Sequence, residues 1–322
     1  MAVTAAPGLR RRRPAGAGSL DAAGITDARL REDLLVCRAL HAEHGRTYFL
    51  ATALLPPAKR PWVWALYGFA RYADEFVDSL TSPDPRALVD WGAGFLAALR
   101  SGEPADPVGR AMLATVRRWE IPPGHVEAFL ASMRMDITRT GYATYADLEG
   151  YMYGSASVIG LQMLPVLEPL PGLEAEAAVR AQRLGEAFQM SNFIRDVGED
   201  LERGRVYLPA EDLAAAGVTR EDLLAARRSG HAPPAVVELL RAEVARTREL
   251  YRQAEPGIAM LHPTSRDAIR CAYELYGGIL GAVERAEHQV LHRRVAVSLP
   301  RRLAVAGPAL VRARAARRQR HR

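Results

Sequence analysis

The feature that most constrains this chain is a run of acids and amides inside an otherwise apolar stretch: Ala187-Phe188-Gln189-Met190-Ser191-Asn192-Phe193-Ile194-Arg195-Asp196-Val197-Gly198-Glu199-Asp200. At about 100° per helical residue, Gln189, Asn192, Asp196 and Asp200 share one stripe, with Glu199 on its flank. Phe188, Phe193 and Ile194 surround it, so the stripe is a poor solvent face. Like charges four apart repel by about 0.2–0.5 kcal/mol on an exposed helix, and by more when buried. A cation reverses that sign. Hard divalent ions, Mg²⁺ above all and Mn²⁺ as the alternative, suit two carboxylates and an amide.

A second stripe lies upstream. Between Trp62 and Asp78, helical spacing puts Tyr67, Arg71, Asp74 and Asp78 on one face, with Leu66, Phe69, Ala73 and Val77 largely on others. One Asp-x-x-x-Asp alone is more often a solvated helix face. Two copies, each set in apolar sequence beside arginine, point to metal ions held between facing helices, where they bridge phosphate oxygens. Arg71, Arg195 and Arg205 can add charge-assisted hydrogen bonds to those oxygens.

Asp74-Glu75-Phe76-Val77-Asp78 resembles the first aspartate-rich motif of the squalene/phytoene synthase family. Asn192-x-x-Arg195-Asp196-x-x-Glu199-Asp200, with Arg203-Gly204-Arg205-Val206-Tyr207-Leu208-Pro209 behind it, resembles the second. The likeness runs from about His41 to Ser298 and takes in Leu54-Leu55-Pro56-Pro57, Trp64 to Tyr67, and Tyr251 to Leu261. In detail the chain looks most like the phytoene-forming members of bacteria, actinobacteria in particular. The resemblance implies an all-α, single-domain isoprenoid-synthase-type bundle around a central cavity. It implies head-to-head condensation of two geranylgeranyl diphosphates through a cyclopropyl diphosphate to phytoene, with NADPH not expected. Asp74, Asp78, Asn192, Asp196 and Asp200 would be metal ligands. His44, Thr47, Tyr67, Arg71, Gln189, Arg195 and Tyr276 would touch substrate, and Tyr67 with the four aspartates would carry the chemistry. Three departures stand out: Thr47 where many members have serine, Glu75 where many have aspartate, and Gly154-Ser155-Ala156-Ser157 where many have Val-Ala-Gly.

An allylic cation left by a departing diphosphate needs a dry pocket and aromatic faces. Tyr48, Tyr67, Phe188 and Tyr276 are the candidates, although each alone is more often plain core. Asp136, among core-like residues, reads as a structural salt bridge, and the small residues of 151–160 as a place where a helix kinks or a long chain passes.

No segment alternates with strand period, no repeat occurs, and no Gly-rich nucleotide loop is present, so the periodicity itself is all-α. The chain has 322 residues, 49% of them hydrophobic, without a composition break, which favours one large domain. Helices are expected from Thr26 or Asp27 to about Leu40, from Pro61 through the first acidic motif, over 86–100 and 107–119, through 211–255, and over 265–290. Cys37 and Cys271 lack the spacing of a disulfide framework or zinc site, and the histidines near 288–292 form no metal signature. No apolar run reaches membrane-span length and none follows the N-terminal arginines, so a cytoplasmic enzyme is expected, at most at the inner membrane face.

The formal charge of +6 is misleading until it is located. Residues 1–20 hold four arginines and 301–322 hold eight, with no acid in 301–322. The remaining body has 31 basic and 37 acidic residues, which argues against nucleic acid as a partner. The two basic ends, 1–20 and 301–322, read as disordered tails flanking a helical domain over 21–300. Solubilising tails are the bland reading and attraction to anionic lipid the sharper one. The competing functions are synthesis of squalene, dehydrosqualene or presqualene diphosphate from farnesyl diphosphate, and a non-catalytic helical membrane-binding protein whose acid stripes are structural.

Overall fold

The computed structural model describes residues 14–78 and 84–319. Fifteen α-helices follow one another along these residues. They are α1 (Ala17–Ala22), α2 (Ala28–His44), α3 (Arg46–Thr52), α4 (Arg60–Asp78), α5 (Pro85–Ser101), α6 (Pro107–Trp119), α7 (Pro123–Met135), α8 (Tyr145–Met152), α9 (Val158–Leu167), α10 (Glu174–Glu202), α11 (Ala210–Ala215), α12 (Arg220–Ser229), α13 (Pro234–Ala254), α14 (Pro263–Arg285) and α15 (Leu299–Gln319). Among the described residues the only β pairing is two isolated bridges, Gly141 with Val206 and Pro169 with Leu261. The all-α reading is right.

The helices begin where short polar side chains can satisfy free amides. Asp27 Oδ1 accepts from Leu30 N at 2.7 Å, Asp84 from Ala87 N at 2.9 Å and Asp106 from Gly109 N at 2.8 Å. Thr144 with Asp147 and Thr219 with Asp222 form reciprocal capping boxes. Proline stands in the first turn of α5, α6, α7, α13 and α14, where its missing N–H costs nothing.

The 29-residue α10 is the central pillar, packed against α9, α13 and α14, while α4 packs on α2, α5 and α6. A π-helical turn, Tyr153–Ser157, joins α8 to α9, so the small-residue stretch does interrupt regular helix. Its backbone presses on α10 at Gly185, where an added Cβ would lie 2.4 Å from the Ala156 carbonyl oxygen. The chain's sole lysine, Lys59, is buried; its Nζ meets Glu168 Oε2 at 2.7 Å and Ser265 Oγ at 3.0 Å. That contact ties together the start of α4, the end of α9 and the start of α14. Cys37 and Cys271 are free and buried.

The expected C-terminal tail is instead a helix. In α15, Val305, Ala306, Ala309 and Ala313 are buried against the core, and Arg312 Nε reaches Asp267 Oδ1 on α14 at 2.8 Å. These four residues recur at i, i+1, i+4 and i+8, a helical apolar stripe that the surrounding arginines obscured. At the other end, Leu20 is fully buried in α1, so the expected N-terminal tail is also ordered from residue 14. Residues 1–13 and 320–322 of those tails lie outside the described residues.

Candidate active site

A cavity of about 630 Å³ opens between α4 and α10, within the usual range for small-molecule sites. Its polar end carries Arg71 and Asp74 from α4, and Asn192, Arg195, Asp196 and Asp200 from α10. Its wall also includes apolar side chains such as Leu164, Leu167, Ile258, Leu261, Ala268 and Ala272.

The acids of the polar end are countered by arginine. Arg195 Nε donates to Asp196 Oδ1 at 2.7 Å, and its Nη2 donates to Oδ2. Arg294, from the segment after α14, reaches the same carboxylate, Nε to Oδ1 at 2.8 Å and Nη2 to Oδ2 at 3.1 Å, and approaches Glu199 Oε2 at 3.7 Å. Burial works against the Arg195 charge, but the hydrogen bonds to Asp196 outweigh it, and its pKa is raised. Asp200 Oδ1 lies 3.6 Å from Arg203 Nη1. On α4, Arg71 pairs with Glu75 and lies 3.8 Å from Asp74.

Arg294 is placed by a close crossing. An added Cβ at Gly198 would lie 2.0 Å from the Leu291 carbonyl oxygen, so only glycine lets this segment cross α10 here. Arg227 Nη1 holds the same carbonyl at 2.6 Å.

Above the acids the wall is aromatic. Tyr48 stacks on Tyr276 at 4.3 Å between centroids, Phe188 lies 4.7 Å from Tyr276, and Tyr48 lies 6.3 Å from Tyr67. Burial raises the pKa of the Tyr48, Tyr67 and Tyr276 phenols, which therefore stay neutral. His41 stacks face to face on Tyr67 at 4.1 Å. Burial pushes its pKa down to about 3, so it too is neutral. A second group of rings surrounds Asp136, which accepts from Tyr151 Oη at 2.7 Å and Tyr207 Oη at 3.1 Å. Asp136 follows the last residue of α7, lines the cavity and holds these two phenols, and its backbone carbonyl accepts from Arg205 Nη2 at 3.1 Å.

Of the residues singled out from sequence, His44, Tyr67, Arg71, Asp74, Gln189, Asn192, Arg195, Asp196, Asp200 and Tyr276 line this one cavity. Thr47, half-buried on α3, does not. It lies off the wall because the next residue, Tyr48, takes the inward position. Asp78 ends α4, and its side chain lies outside the described residues. Arg294, His41, Tyr151 and Tyr207 carried no role in the sequence reading. The basic run at 293–294 was visible, but nothing local to it indicates that it folds back 98 residues onto Asp196.

The donor set suits a hard cation. Asn192 Oδ1 is buried in the cavity wall without a hydrogen-bond partner, an uncompensated acceptor of the kind a cation satisfies. Among the described residues, no three His, Cys, Asp or Glu side chains are gathered tightly enough to hold an ion by themselves.

Comparison with known proteins agrees with this geometry. Residues 41–301 match the family described as Squalene/phytoene synthase. The chain is 36% identical to the phytoene synthase of Arthrospira platensis, over 84% of this chain and 90% of that one. It is 34% identical to the 15-cis-phytoene synthase of a Synechocystis strain, over 86% and 84%. Among solved structures, a dehydrosqualene synthase crystallised with a ligand superposes with a TM-score of 0.79 at 27% identity, over 89% of this chain and 98% of that one. The chain is therefore a member of the squalene/phytoene synthase family of prenyltransferases.

Proposed function

We propose that the protein is a phytoene synthase, joining two geranylgeranyl diphosphates head to head with loss of both diphosphates. The observation that carries this reading is a single cavity with an acid and arginine mouth, an aromatic wall and an apolar lining. Similarity to curated phytoene synthases over most of the chain supports it. Asp74, Asn192, Asp196 and Asp200, with Asp78 beside them in the motif, would hold Mg²⁺, or Mn²⁺ in its place. The bound metal would supply positive charge at the leaving diphosphate.

Arg71, Arg195 and Arg294 face the diphosphate oxygens as bidentate donors and balance the charge released when the C–O bond breaks. Gln189 adds an amide contact. The neutral rings of Tyr48, Tyr67, Phe188 and Tyr276 turn their electron-rich faces toward the allylic cation. No carboxylate is needed there, and water is kept out. The first condensation, with loss of one diphosphate and one proton, gives a cyclopropyl diphosphate. Its ionisation, rearrangement and loss of one proton give the C40 hydrocarbon, so no reductant is consumed.

No helix among the described residues is long and apolar enough to cross a membrane. We place the enzyme at the inner face of the cytoplasmic membrane, into which substrate and product partition. The test is incubation of purified protein with Mg²⁺ and geranylgeranyl or farnesyl diphosphate, with and without NADPH, reading hydrocarbon and released diphosphate together. A C40 product from the C20 substrate without NADPH is expected. A C30 hydrocarbon or an accumulating cyclopropyl diphosphate from the C15 substrate would move the protein to the squalene side of the family, the side of its dehydrosqualene synthase neighbour. Failure to release diphosphate from either would end the reading.

A further inference from the structure

Helix α15 buries one face and leaves the opposite face strongly apolar. Leu299, Leu303 and Val311 are 66%, 61% and 68% exposed, three of the eight large hydrophobic residues that the described chain exposes. At 100° per residue, Leu303, Gly307 and Val311 form the spine of that outer face. Pro300, Ala304, Pro308 and Ala315 are exposed beside it, so the ridge runs along most of the 21-residue helix. Arg301, Arg314 and Arg318 are exposed around the same ridge. No acidic residue occurs after Glu287, so nothing on this helix offsets their charge. The other arginines of α15 are engaged within the chain: Arg302 by the Val297 carbonyl, Arg312 by Asp267 and Arg317 by the Leu54 carbonyl.

We propose that the outer face of α15 is a docking surface for an anionic lipid bilayer, lying flat at the headgroup level. The inference rests on the reading that the enzyme works at a membrane, and it names the element that makes the contact. Leu299, Leu303 and Val311 enter the acyl boundary, while Arg301, Arg314 and Arg318 meet lipid phosphates at its rim. A second copy of the chain fits this face poorly, because a two-fold contact would bring two acid-free arginine sets together. The inner face of α15 packs on α14, whose Ala268, Ala272 and Tyr276 line the cavity. Two helices, α15 and then α14, therefore stand between the docked bilayer and the cavity that would hold and release a C40 hydrocarbon.

Flotation of the full chain with vesicles tests this. The vesicles are phosphatidylcholine alone, or phosphatidylcholine with about one third phosphatidylglycerol. Wild-type protein should float with the anionic vesicles and lose that binding as salt rises. The pair Leu303→Glu with Val311→Glu should lower partitioning by about tenfold or more, and Arg314→Ala with Arg318→Ala by about tenfold. Both pairs should keep the wild-type circular dichroism and the wild-type diphosphate release in detergent. Wild-type binding that the Leu303 and Val311 changes leave intact would overturn the assignment of α15 while sparing the membrane reading. No binding by wild type would remove both. A concentration-dependent dimer that the same changes dissolve would show that a second copy covers this face, and would overturn the proposal.

Discussion

On α10 the Asp196 carboxylate is gripped by Arg195 and Arg294, and its side chain is 16% exposed. On α4 the Asp74 carboxylate is 45% exposed, and its neighbour Arg71 lies 3.8 Å away and is engaged by Glu75. The two helices face one cavity with similar sequence patterns, yet they are prepared differently. The α10 side is already charge-balanced and fixed from two directions, one of them nearly a hundred residues downstream. The Asp74 carboxylate on α4 is the more exposed of the two. On the proposed reading, the arginines that balance Asp196 would turn to phosphate when a ligand arrives, so the α10 half would be pre-organised to a greater degree than the α4 half.

The strongest way to break this comparison is to remove one acid from each side. Asp196→Ala and Asp74→Ala should each lower diphosphate release by about 10³-fold or more, measured with Mg²⁺ and geranylgeranyl diphosphate. Their folding should differ. Asp196→Ala strips the largely buried Arg195 of its partner and should cost about 1–3 kcal/mol in chemical denaturation. Asp74→Ala should stay within about 0.5 kcal/mol of wild type. Equal destabilisation by both would show that the two sides are equally organised.

Arg294→Ala sharpens the comparison by leaving every acid in place. It should reduce kcat/KM by about 10- to 100-fold, mostly through KM, if Arg294 meets diphosphate. An unchanged KM would reduce it to a structural counter-ion. Next in size is the apolar lining: Ala268→Leu should disfavour the C20 against the C15 substrate by about tenfold in competition. A uniform loss with both would place the ends of the chains elsewhere.

A pH effect is expected at His41. Its folded pKa lies below the unfolded value, so its contribution to stability is complete above about pH 6.5 and is lost as pH falls toward 3. Between pH 7 and pH 5, wild type should lose about 2 kcal/mol more stability than His41→Phe in parallel denaturations. Identical pH slopes would mean that His41 gains a partner on protonation.

Much of the site was legible because helical period is a local property. Gln189, Asn192, Asp196 and Asp200 lie within three turns of α10, so their shared face follows from the 100° step alone. The same holds for Tyr67, Arg71 and Asp74 on α4. Thr47 lies beside Tyr48 on the short helix α3, where a one-residue difference decides which side chain lines the cavity. The two tyrosines that donate to Asp136, 15 and 71 residues away, could not be read from its own neighbourhood in the sequence.

The two ends of the chain show the same division. Composition made 301–322 look disordered, because arginine outnumbers large apolar residues there. The small stripe of Val305, Ala306, Ala309 and Ala313 gains its value only from the surface of α14 beneath it. By itself the sequence determined the all-α class, the two acid stripes and the family, because each depends on residue order within a few helical turns. The tertiary structure alone decided that Arg294 closes on Asp196, that His41 stands behind Tyr67, and that α15 has an inner and an outer face. Those contacts join residues far apart in the chain, and only packing brings them within reach.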